Sequence, residues 1–81
     1  MSESYYYAAD MIRRIFRFAD LTYVYTDEEL QKQYVDYQRL EKELIDQRNR
    51  NVYGDYSVDV VAIYYRIKDE LRACLKRRGI L

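Results

Sequence analysis

The side chains able to do chemistry in this 81-residue chain are fourteen Lys and Arg, fourteen Asp and Glu, eleven Tyr, one Cys and no His. Without His, no residue titrates near neutrality unaided, and the commonest zinc ligand and general base are both missing. Cys74 stands alone, so neither a disulfide within the chain nor a CxxC metal or redox site can form. No base is at hand to activate it as a nucleophile, and it reads as a small core residue. Catalysis would have to rest on Asp, Glu, Lys, Arg or Tyr. No phosphate-gripping glycine loop, GxSxG elbow, HExxH or EF-hand pattern is present. The expectation is a protein that is not an enzyme and carries no cofactor or metal.

What remains is recognition, and tyrosine is the first candidate to carry it. Three consecutive residues on a helix point in three directions, so Tyr5, Tyr6 and Tyr7 cannot all enter a core. Tyr is enriched at interfaces for its rigid, amphipathic area. The expected partner or dimer contact is therefore Tyr5, Tyr6, Tyr7, Met11 and Phe18. Tyr34, Tyr37 and Tyr64 fall on helical faces and read as core-boundary residues.

The second candidate is basic. Net charge is +0, so no global field draws the chain to nucleic acid or an anionic membrane. By segment, residues 52–81 carry six basic and four acidic groups, and residues 27–51 carry five and seven. Arg13, Arg14 and Arg17, with Lys76, Arg77 and Arg78, are the residues that would contact phosphates. Favourable placement of cations at a helix C-terminus accounts for the last three equally well. The spacing does not fit a known DNA reader: the loop after Arg48 is too long for a helix-turn-helix, and the middle helix is about twice too long for a ribbon-helix-helix.

Helices must position all of these. Two Gly and no Pro leave few breakpoints, which predicts an all-α, three-helix domain with helices at about 5–20, 27–50 and 58–78, spanning residues 1–81 as one unit. In the first, Ser4 is the expected N-cap. Tyr5, Ala8, Ala9, Ile12, Ile15, Phe16 and Ala19 make one apolar stripe, with Tyr7, Met11 and Phe18 making a second beside it. The second helix has a capping box in Thr26 and Glu29, and Leu30, Tyr34, Tyr37, Leu40, Leu44 and Ile45 mark its buried face. Glu28 and Glu29 are spaced to pair with Lys32. Glu41 projects near that face, which implies a structural ion pair or an edge position.

Leu21 to Tyr25 suits a strand by composition and is read as an extended linker. Asn49 to Tyr56 is the one convincing loop. Ser57 is the expected N-cap of the third helix, and Val60, Ile63, Tyr64, Ile67, Leu71, Cys74 and Leu75 are its core face. A strand at Val58 to Tyr65 is the competing reading, and the continuing helical period argues against it.

The first helix has too much apolar surface for one face of a bundle, so a symmetric helical dimer is expected. The functional expectation is a small helical interaction protein, an adaptor, inhibitor or regulator that self-associates and binds a protein partner. Phage and viral accessory proteins often have this composition. The alternative is a nucleic-acid-binding transcriptional regulator. No apolar run approaches a membrane span, the start carries an acid where a secretory signal carries positive charge, and a lone Cys fits a reducing compartment; the expected location is cytoplasmic.

Overall fold

A computed structural model describes residues 3–20 and 26–81. Three α-helices and a 3-10 turn follow one another: α1 (Glu3–Ala19), α2 (Asp27–Asn49), the turn Gly54–Tyr56 and α3 (Ser57–Arg77). No strand occurs among the described residues, so Val58 to Tyr65 is helical; the linker expected at Leu21 to Tyr25 lies outside them.

α2 starts at the expected box. Thr26 Oγ1 accepts the Glu29 amide at 3.2 Å and donates to Glu29 Oε1 at 2.9 Å, while Asp27, Glu28 and Glu29 place negative charge at the positive end of the helix dipole. Lys32 does not reach back to Glu28 or Glu29. It pairs forward with Asp36 at 3.3 Å, because Glu29 is already held by the cap.

Both long helices stop by the same device. At the end of α2, Asn51 adopts φ 58°, its amide donates to the Arg48 carbonyl at 2.9 Å, and the Val52 amide donates to Gln47 at 3.0 Å. At the end of α3, Gly79 adopts φ 73°, donates to Lys76 at 3.0 Å, and Ile80 donates to Leu75 at 3.0 Å. These are Schellman closures, in which a left-handed residue turns the chain and satisfies the last carbonyls. Gly and Asn are the residues that tolerate that conformation.

Two expected caps are not used. α1 starts at Glu3, which places Ser4 within its first turn. Ser57 is already helical, because the 3-10 turn runs straight into α3 and no side chain caps the junction. The loop between α2 and α3 is exposed at most of its residues but is anchored to the core by Tyr53, which is 0% exposed and whose hydroxyl donates to Gln47 Oε1.

α1 and α2 are antiparallel, as the pairing of Arg14 with Glu43 and of the Phe18 carbonyl with Gln33 shows. α3 is antiparallel to α2, and α1 runs alongside α3 in the same direction, from the Tyr5–Tyr56 contact to Phe16 beside Ile67. The core is one continuous apolar cluster, with no buried polar residue among those described. Its centre is a pair of tyrosines. Tyr37 and Tyr64 stack face to face at 4.4 Å with 3° between their planes, and each hydroxyl donates to the other's backbone carbonyl, at 2.7 Å and 3.1 Å. The rings therefore fill the core while both polar tips are satisfied.

α1 buries Ala8, Met11 and Ile15, a line along the seam between the two stripes seen in the sequence. Tyr5 and Phe16 are left on its outer flank at 44% and 53% exposure. Its first turn lies against Gly54, where φ is +54° and a Cβ would stand 2.9 Å from Ser4 Oγ. Gly54→Ala should consequently cost about 1–2 kcal/mol from the left-handed backbone alone, and more if Ser4 cannot move. A urea unfolding midpoint unchanged from wild type would contradict this.

Candidate interaction surface

Four of the six exposed aromatic residues among those described, Tyr5, Tyr6, Tyr7 and Tyr56, gather where α1 begins and α3 begins. Tyr5 meets Tyr6 edge to face at 5.9 Å and Tyr56 at 6.0 Å, and Tyr6 and Tyr7 are 58% and 51% exposed. The Ser4–Gly54 contact fixes this corner, since it brings the start of α1 against the turn that carries Tyr56. Glu3, Asp55 and Asp59 stand beside these rings in sequence and are exposed. The first turn of a helix favours acids, which accounts for Glu3 and Asp59.

Two residues expected at this contact are elsewhere. Met11 is 1% exposed and belongs to the core, because the line of burial on α1 runs through it. Phe18 is half-buried, with its ring centroid 5.1 Å from that of Tyr37, so it packs on the central pair rather than facing outward. Tyr56, which the sequence placed in a loop, joins the cluster instead; only contact with α1 reveals it.

Of the six basic residues considered for nucleic acid, three are held by carboxylates. Arg14 makes a two-pronged pair with Glu43, Arg13 lies 3.9 Å from Asp10, and Arg78 lies 3.4 Å from Asp27. Arg17, Lys76 and Arg77 have no ion-pair partner among the described residues. Arg17 lines a shallow basin of about 420 Å³ between α1 and α2 with Arg14, Arg39, Asp36 and Glu43. Its charge is mixed, and its carboxylates are already engaged: Asp36 receives Lys32 and Arg39, and Glu43 receives Arg14. No group of three or more metal-ligating side chains occurs among the described residues.

The chain matches no family model, no curated protein and no solved structure. No helix among the described residues is long and apolar enough to cross a membrane.

Glu41 makes the ion pair expected of it, accepting from Lys68 Nζ at 2.7 Å. Burial pushes its carboxyl up, but the Lys68 ammonium and the nearby Tyr64 hydroxyl together outweigh that and hold it below its ordinary 4.5. Glu43 is held down chiefly by its hydrogen bond with Arg14, which in turn is held more firmly charged. At the other extreme, burial raises Tyr37 and Tyr64, and pushes Tyr53 up to about 12. Depressed carboxyls stabilise the fold above their ordinary value, and that contribution is lost as pH falls through the folded values. Raised tyrosines stabilise it below pH ~10, and lose that contribution as pH climbs toward the folded values. Stability should therefore decline below about pH 4 and again above about pH 10. Urea titrations across pH check this; Glu43→Gln should flatten the acid arm and move the alkaline arm less, since burial rather than the Glu43 charge is the larger cause of the Tyr53 rise.

Proposed function

We propose that this chain is a non-enzymatic interaction protein of the cytoplasm that self-associates and docks a protein partner through its tyrosine corner. The observation that carries the reading is the exposed, mutually packed cluster of Tyr5, Tyr6 and Tyr56. Rings held edge to face lose little side-chain freedom on binding, and they offer apolar area with hydroxyls at the rim, as energetically dominant interface residues do. Cys74 is free and half-buried, in keeping with a reducing compartment. An adaptor, inhibitor or regulator is the role that such a surface serves.

The test is affinity capture from the native host with wild type and with the Tyr5→Ala/Tyr6→Ala variant side by side. A protein retained by wild type and lost by the variant supports the reading. Identical retention by both, or none by either, sinks it.

A second reading draws on Arg17, Lys76 and Arg77, which have no ion-pair partner among the described residues: a nucleic-acid-binding regulator. It requires salt-sensitive binding to duplex DNA or RNA, and a null gel shift at low salt removes it. The tyrosine reading is preferred because three of the six basic groups are already engaged by acids.

A further inference from the structure

Four of the six exposed charged residues of α3 fall on one strip, and their order is its own complement. Asp59, Arg66, Glu70 and Arg77 are spaced seven, four and seven residues apart, which at 100° per residue confines them to a strip about 40° wide. Along the helix the signs read minus, plus, minus, plus. Read in the opposite direction they invert. Two copies of α3 laid antiparallel about a two-fold axis level with residue 68 would set each Asp59 against the partner's Arg77 and each Arg66 against the partner's Glu70. A parallel pairing in register would oppose like charges throughout.

Within the chain, these four make no ion pair among the described residues, and all four are exposed. Arg66 and Glu70 are four apart yet do not pair with each other, and a base placed ahead of an acid is the weaker of the two helical orders. Ala62 and Ala73 lie between the charges and allow close approach. Beside the strip, Phe16 of α1 is 53% exposed, bordering a depression of about 260 Å³ with Ile63, Ile67, Arg66 and Glu70. The strip thus has an apolar margin of the kind a helix-to-helix contact buries.

We infer that this face of α3, with Phe16 at its edge, is the surface on which a second copy of the chain binds, antiparallel and two-fold symmetric. The inference rests on the self-association proposed above and assigns it a surface separate from the tyrosine corner, which stays open to a different partner.

The experiment is light scattering or sedimentation equilibrium on the full chain, its Arg66→Glu variant, its Glu70→Arg variant and an equimolar mixture of the two. Wild type at about 100 μM should show twice the chain mass of 10.0 kDa. Each variant alone should dimerise at least tenfold more weakly, because one carries only acids at these positions and the other only bases. The mixture should regain the doubled mass as a mixed dimer, and circular dichroism should show unchanged helix content in every sample. Variants that dimerise like wild type, or a mixture that stays at the mass of one chain beside a dimeric wild type, overturn the surface and leave self-association standing. A wild type that stays at the mass of one chain overturns both.

Discussion

Tyr64→Ala is expected to remove roughly 4 kcal/mol of folding free energy, the range found when a buried aromatic ring is truncated to Ala. Three losses combine there. The ring is 0% exposed, its removal leaves a cavity at the centre of the bundle, and Tyr37 loses the face it stacks on. Small domains hold about 0.05–0.15 kcal/mol per residue, or about 4–12 kcal/mol for 81 residues, so at least a third of the stability of this one is at stake. Tyr64→Phe is the control. It keeps the stack and removes a single donor to the Tyr37 carbonyl, which should cost only about 1 kcal/mol. Urea unfolding followed by far-ultraviolet circular dichroism measures both, and equal losses for the two variants would show that the hydrogen bond rather than the ring dominates.

The second large effect is expected outside any α-helix. Tyr53→Ala should cost about 3–5 kcal/mol, as a core position does. Tyr53 is fully buried, its hydroxyl reaches Gln47 of α2, and Glu43 of α2 and Arg14 and Asp10 of α1 lie near enough to act on it. Three residues on, Tyr56 is 40% exposed, and Tyr56→Ala should cost under about 1 kcal/mol because it loses one exposed ring contact. A similar cost at both positions would contradict the packing described for this connection.

The contrast between these two tyrosines shows where sequence reading stops. The helices were legible because their signals are local: the Thr26 box, the scarcity of Gly and Pro, and an unbroken period from Val60 to Leu75. Tyr53 was not, since it follows Asn51 in a stretch where the period lapses. Its burial comes from the Asn51 turn folding the chain back over α2. Met11 was misplaced for a related reason. α1 is apolar around most of its circumference, so periodicity gives two adjoining stripes and cannot say that the neighbours meet at the seam between them. Of the tyrosine corner, Tyr5, Tyr6 and Tyr7 were legible from the geometry of three consecutive helical residues. Tyr56 became part of it only through the approach of α1 to Gly54. The charge order on α3 was present in the sequence throughout, but it becomes meaningful only once the structure shows which side of that helix faces out.

The proportions of the bundle bear on how its assembly can be observed. The Cα atoms extend 42 × 21 × 16 Å, and the radius of gyration is 13.7 Å, whereas a compact chain of this length has about 11.7 Å. A rod of this kind drags more solvent than a sphere of equal mass and leaves a gel-filtration column early. Elution volume calibrated on spherical standards would thus report a single chain as something heavier. Pairing along α3 lays two rods side by side, so mass doubles while the longest dimension stays near that of one copy. The pair is less asymmetric than its parts. Its sedimentation coefficient should rise more steeply with mass than the two-thirds power that growth without change of shape gives, and a head-to-tail chain of copies would rise less steeply.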